Sequence, residues 1–175
     1  MDYITTYTGI RFVPTKPCEK DIKIEDIAHA LSLICRGNGH VKHFFSVAQH
    51  SINCALEAKA RGYEKRVQMG CLLHDASEAY LSDITRPVKK YLPEYLKFEE
   101  QLQTMIDRKY ISKPLTKSDY DQIRGVDDDM LYYELEALLK ETQTGMPPVM
   151  SSQLRICVSP FEKVEQEFLA LFEYL

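Results

Sequence analysis

Apolar residues recur along most of this chain at intervals of three and four, the spacing that lines one face of an α-helix. In KIEDIAHALSLICR, Ile24, Ile27, Leu31 and Ile34 form such a stripe, which predicts a helix ending at the Gly-Asn-Gly of residues 37–39. In FFSVAQHSINCALEAKARG the stripe is Phe45, Ala48, Ile52 and Leu56, with Gly62 as the stop. A third helix is expected from about Glu64 through Leu73. Residues 82–95 are broken by Pro87 and Pro93, so they predict a loop with at most a short helix.

Helical periodicity resumes in EYLKFEEQLQTMIDRKY and stops at Pro114. The longest periodic stretch is LTKSDYDQIRGVDDDMLYYELEALLKE, interrupted only by Gly125 and ending before the TGMPP of residues 144–148. A last helix carries a start signal, with Ser159 as the expected N-cap, Pro160 at the first helical position and Glu162 at the third. Before all of these, ITTYTGIRFVPTKP alternates β-branched and aromatic residues around Gly9, which reads as a short hairpin or extended arm. No strand pattern follows residue 20. The expected architecture is all-α: a bundle of six or seven helices with a small N-terminal extended element.

Length and composition then narrow the class. A chain of 175 residues suits one domain with a core that needs no disulfide or structural metal. It is 45% hydrophobic and 27% charged, with no apolar run near the roughly 20 residues of a membrane span, so no membrane partner is expected. The first residues show no basic segment followed by an apolar one. The five cysteines are odd in number, scattered, and form no C-x-x-C pair, which suits reduced thiols and a cytoplasmic location. A net charge of −4 and a pI near 5.8 argue against a nucleic-acid polymer as partner.

Candidate chemistry concentrates in LLHDASEAYLSD, residues 72–83. His74 follows a segment that is apolar on both sides, with Met69, Leu72 and Leu73 on one and Val67 and Cys71 on the other, so it is expected inside. Asp75 in the same surroundings needs a cation or several donors, and no basic residue adjoins it in sequence. The alternative, that Asp75 and Ser77 end a helix in water, stays open on spacing alone. His50 sits on a border, sharing its side with Ser46, Asn53 and Glu57 while Val47 and Cys54 flank it. Of Asp127, Asp128 and Asp129, the one sharing a face with Ile123 and Leu131 is Asp127. Histidines and aspartates together suit Mn, Fe, Co, Zn or Ni. There is no zinc-finger spacing, H-E-x-x-H, P-loop, G-x-G-x-x-G or G-x-S-x-G, and no cysteine stands in a recognisable nucleophile context.

The ordered set EDIAHALSLICR, GHVKHFFSVAQHS, CLLHDASEAYLSDITRPVKK and VDDDMLYYELEAL, spread over residues 24–139, resembles the HD-domain superfamily of metal-dependent phosphohydrolases. It looks most like the small branch that includes HD-type 5'-deoxynucleotidases and deoxynucleoside triphosphohydrolases. The resemblance implies one HD domain over residues 1–175 and one divalent ion (Mn, Co, Fe, Ni, Zn or Mg) on His50, His74, Asp75 and Asp127. The family's distal aspartate has a glutamate seven residues on, and Glu134 fits that place only if the ligand is Asp127. Glu78 matches the glutamate that orients the attacking water, Asp83 a second carboxylate near the scissile phosphate, and Arg36 an arginine that contacts substrate. Lys89 and Arg86 are further candidates to offset phosphate charge.

One departure concerns specificity: the tryptophan that commonly follows the family's arginine is here Gly37. The implied activity is hydrolysis of a small phosphate ester, foremost a (deoxy)nucleoside 5'-monophosphate, with a deoxynucleoside triphosphate as alternative. A different class, a sensor that binds nucleotide or metal without turnover, is the rival. The extra histidines and GYP motif of the cyclic-dinucleotide branch are absent. The resemblance also suggests a homodimer, for which Tyr132, Tyr133 and the stretch from Phe168 to Tyr174 are candidates, though core packing explains them equally.

Overall fold

Each apolar stripe winds into a helix in the structure, a computed structural model that describes residues 2–175. Six long helices form the body: α1 (Ile24–Leu33), α2 (Val47–Ala60), α3 (Lys65–Leu73), α6 (Pro93–Tyr110), α7 (Lys117–Leu138) and α8 (Phe161–Tyr174). Two single-turn helices, α4 (Glu78–Leu81) and α5 (Arg86–Lys89), lie between α3 and α6. The N-terminal element is a two-stranded antiparallel hairpin, β1 (Ile4–Thr5) with β2 (Arg11–Phe12), in which Ile4 faces Phe12 and Thr5 faces Arg11. No helix among the described residues is long and apolar enough to cross a membrane.

Helix α2 is the central strut, packed on α1, α3, α7 and α8. It is buried on nearly every side, including His50, Asn53 and Glu57, so each polar group on it needs a partner inside the protein. Its start is fixed by a capping box: Ser46 accepts from the Gln49 N–H, and the Gln49 side chain accepts from the Ser46 N–H. The hairpin is held at one end by Asp26, a buried carboxylate that accepts from both the N–H (2.7 Å) and the hydroxyl (2.9 Å) of Thr8. At the other end Phe12 stacks on Tyr80.

Three boundaries differ from those the periodicity predicts. Helix α1 stops at Leu33 rather than at the glycines, because Cys35 bridges to Ser46 and the Arg36 N–H donates to the Phe45 carbonyl (2.9 Å). That pairing pulls Arg36 out of the helix and into a 3₁₀ turn, Arg36–Gly39, in which Gly37 takes a left-handed φ of 57°. Helix α7 runs straight through Gly125. At α8, Pro160 keeps an extended ψ of 134° and acts as the N-cap, its carbonyl receiving the N–H groups of Lys163 and Val164; Ser159 lies one residue outside the cap.

Buried Glu57 ties the long α7–α8 connection to the strut. Its carboxylate accepts from the N–H groups of Ser151 (2.9 Å) and Ser152 (2.8 Å), the Ser152 hydroxyl (2.6 Å) and Arg61 Nε (2.7 Å). Burial works against its ionisation, but these donors outweigh burial and hold its pKa below the usual 4.5. A lowered folded-state value stabilises the fold above the unfolded value and loses that stabilisation as pH falls through the folded one. Glu57→Gln is therefore expected to cost about 1–3 kcal/mol in denaturant unfolding at pH 7, with the gap from wild type narrowing below pH 4.5. A gap that stays constant from pH 7 to pH 3 would contradict this account of Glu57.

Candidate metal centre

The buried strut α2 delivers His50, the C-terminal end of α3 delivers His74 and Asp75, and the middle of α7 delivers Asp127. Their donor atoms converge. The two imidazole Nε2 atoms are 3.2 Å apart. Asp127 Oδ1 lies 3.2 Å from His50 Nε2 and 3.8 Å from His74 Nε2. Asp75 Oδ2 lies 3.3 Å from His74 Nε2 and 3.9 Å from His50 Nε2. Donors bound at about 2.0–2.2 Å to one ion sit about this far apart.

The opposite ring nitrogens are already engaged. His50 Nδ1–H donates to Glu134 Oε1 (2.7 Å), and His74 Nδ1–H donates to the Cys71 carbonyl (2.8 Å). With both Nδ1 atoms acting as donors, both Nε2 lone pairs point into the same gap, an arrangement that a cation or an extra proton resolves. The charges agree. Burial disfavours a charged His74, yet Asp75, Asp127 and the Cys71 carbonyl outweigh it and raise its pKa to about 9. For His50, burial and Arg36 are outweighed by Glu134 and Asp127, so its pKa also rises. Burial opposes ionisation of Asp127 and Asp75 too, but the histidines hold Asp127 far below the usual carboxylate range, and His74 with Arg36 lowers Asp75. The centre attracts positive charge.

The partner that Asp75 lacks in sequence comes from the 3₁₀ turn. Arg36 reaches Asp75 Oδ2 (3.4 Å) and Glu134 Oε2 (3.2 Å) at once, so it holds one edge of the centre together. The three consecutive aspartates separate as helix geometry requires. Asp127 turns inward with Arg86 on its outer oxygen (2.6 Å), Asp128 binds the other arm of Arg86 (2.9 Å), and Asp129 pairs with Arg61 (2.8 Å).

Glu134, which the resemblance places seven residues after Asp127, is the acceptor for His50 Nδ1, a role its position two turns on along the same face of α7 allows. A neighbour to which the sequence assigns no role is Cys54, one turn after His50, with Sγ 3.6 Å from His50 Nε2. His50, Cys54 and His74 form a group whose donor atoms all lie within 4.8 Å and could hold a metal ion. The thiol is fully buried, and burial together with Asp127 pushes its pKa well above 9.0, so without a cation beside it the thiol stays protonated.

Beside the centre opens a cavity of about 470 Å³, within the range of small-molecule sites. It is lined by charged residues, among them Arg36, Asp75, Glu78, Asp83, Lys89 and Asp127, and by the apolar side chains of Val41, Ile84, Leu131, Leu135, Leu138 and Leu139. Glu78 is buried. Its Oε1 meets Lys89 Nζ at 3.4 Å, whereas its Oε2 is buried with no hydrogen-bond partner. Burial, with Asp75 and Asp83 nearby, pushes its pKa up to about 9; Asp83 is raised as well, first by burial. Lys89 is shared with Glu99 (2.5 Å). Ser77 is buried at the start of α4.

Residues 32–145 match the family described as HD domain. The chain is 37% identical over 150 residues to the uncharacterized protein YfdR of Escherichia coli (strain K12), covering 79% of this chain and 81% of that protein. It is 35% identical over 108 residues to an uncharacterized protein of Rhodobacter capsulatus, covering 59% of this chain and 55% of that one. HD domains bind divalent metals and are in general metal-dependent hydrolases. With the family match spanning well over half its length, and two histidines and two aspartates drawn together where the HD pair ends a buried helix, this chain belongs to the HD-domain family.

Proposed function

We propose that the chain is a cytoplasmic phosphohydrolase that releases phosphate from nucleoside 5'-monophosphates, with one divalent ion held by His50, His74, Asp75 and Asp127. The observation that carries this is the pair of Nε2 atoms facing each other at 3.2 Å while both Nδ1 atoms are committed to acceptors. A bound divalent ion supplies Lewis acidity toward a phosphoryl oxygen and lowers the pKa of a water. The residues supply the rest. Glu134 and the Cys71 carbonyl keep both imidazoles in the tautomer whose Nε2 is free to bind. Burial and Asp75 raise Glu78 to about 9, and a cation held by Asp75 and its neighbours would lower it again. In its ionised form the unpartnered Glu78 Oε2 is the acceptor that orients the attacking water and takes its proton, with Asp83 in the same cavity. Arg36 and Lys89 line the same cavity and offset phosphate charge.

Charge favours a monophosphate over a triphosphate. Each cation of the cavity wall is already shared between carboxylates: Arg36 between Asp75 and Glu134, Arg86 between Asp127 and Asp128, and Lys89 between Glu78 and Glu99. A divalent ion then matches a phosphate monoester dianion and leaves little attraction for two further phosphates. The apolar wall of Leu131, Leu135 and Leu138, which continues the Asp127 face of α7, seats the nucleoside.

The test supplies Mn or Co to chelator-stripped protein with a panel of nucleoside mono- and triphosphates. Inorganic phosphate and nucleoside from the monophosphates are expected. Triphosphate release would transfer the assignment to the triphosphohydrolase alternative, and stoichiometric binding without turnover to the sensor. No product and no metal uptake by folded protein would remove the proposal.

A further inference from the structure

The turn that presents His74 and Asp75 is shaped from outside by a side chain of α6. Residues 74–77 join α3 to α4, and His74 and Ser77 both keep right-handed helical torsions, so the chain could have wound on as one helix. A continuous helix would require the Ser77 N–H to donate to the Leu73 carbonyl, four residues back. It does not. The Ser77 N–H donates instead to Gln103 Oε1 (3.2 Å), and the Leu73 carbonyl accepts from Gln103 Nε2 (2.8 Å). The Gln103 carboxamide stands in place of the missing bond, and a side chain inserted into the helical ladder is a recognised cause of a break. On either side of it the backbone tightens to i→i+3 bonds, Ala76 N–H to Leu73 and Glu78 N–H to Asp75.

The orientation of the carboxamide is itself determined. Nε2 also donates to Asp107 Oδ1 (2.8 Å), one turn along α6, and the Tyr120 hydroxyl of α7 donates to Asp107 Oδ2 (3.2 Å). Three partners specify which end of the amide is oxygen. Gln103 and Asp107 are half-buried, each next in sequence to a core residue of the same helix, Leu102 and Ile106. A surface-facing glutamine would leave Leu73 and Ser77 free to pair with each other.

We propose that Gln103 is a positioning residue for the metal centre: by replacing the Leu73–Ser77 helical bond it sets the backbone from which His74 and Asp75 project, with Asp107 and Tyr120 holding it in place. The inference rests on the reading of His74 and Asp75 as ligands for its functional consequence, but its structural half does not. Gln103→Leu keeps much of the bulk and removes both hydrogen bonds. In the metal-free protein, NMR shifts of residues 73–78 and of the His74 ring should move in Gln103→Leu. They should stay in place in Ile106→Val, a core truncation on the same helix. In Mn titrations followed by electron paramagnetic resonance, Gln103→Leu should weaken affinity by roughly 10- to 100-fold, as loss of a group that orients ligands does, with substrate KM unchanged. Asp107→Asn should shift both readouts in the same direction by less, and serves if the leucine variant does not fold. Unmoved shifts together with Mn affinity within twofold of wild type would overturn the proposal. If wild type takes up no Mn, the ligand reading fails, and the NMR comparison alone decides whether Gln103 sets the turn.

Discussion

Asp127→Ala should lose bound metal and with it at least 10³-fold in phosphate release, while Asp128→Ala, its immediate neighbour, keeps both. The contrast follows from helix geometry: Asp127 Oδ1 faces the two imidazoles, whereas Asp128 is exposed at the rim and touches Arg86. Removing a ligand costs more than removing one interaction. It takes away the carboxylate oxygen that lies against both imidazoles, and a four-donor set becomes three. Metal analysis after gel filtration and a phosphate assay measure both quantities, and circular dichroism checks that α7 stays helical. Equal losses in the two variants would mean that the acidic run acts through bulk charge and that Asp127 is no ligand.

Glu78→Gln is the second large effect, expected to lower kcat by roughly 10²- to 10⁴-fold with metal content unchanged, the range for loss of a general base. The amide keeps the size of the side chain and an acceptor toward Lys89, but places a donor where Oε2 would accept from water. Because Glu78 is absent from the group of atoms that converge between His50 and His74, its loss separates proton transfer from metal retention. Full activity in the variant would remove Glu78 from the chemistry; loss of metal would make it a ligand instead.

Much of this centre is legible in the sequence, and the limits are physical. A helix face is a local property, so the inward choice of Asp127 among three aspartates follows from its neighbours at three and four residues. The apolar run before His74 predicts it inside; the structure leaves it partly buried, at the end of that run. Spacing leaves Asp75 open between a metal site and a solvated helix end, and what surrounds it comes from elsewhere in the chain: Arg36, from the turn after α1, pairs with its carboxylate, and Gln103, from α6, bonds the flanking backbone at Leu73 and Ser77. Neither is close to Asp75 in sequence. The position of Arg36 also depends on the Cys35–Ser46 pairing that ends α1 early, an interaction periodicity cannot register. Local signals can mislead as well: the Ser159-Pro160 start places the cap one residue early, since the proline itself takes the cap position with an extended ψ. The resemblance contributed the grouping of His50 with His74, Asp75 and Asp127, which spacing alone left open.

The ligand set itself admits a direct measurement, because Cys54 stands close enough to His50 and His74 to compete with the carboxylates. X-ray absorption on protein loaded with one equivalent of Co or Zn distinguishes them by element and distance. Two imidazoles and two aspartates predict a single nitrogen and oxygen shell at about 2.0–2.2 Å with imidazole back-scattering and no sulfur. A sulfur scatterer at about 2.3 Å would place Cys54 on the metal and contradict the carboxylate centre on which the proposed hydrolysis rests.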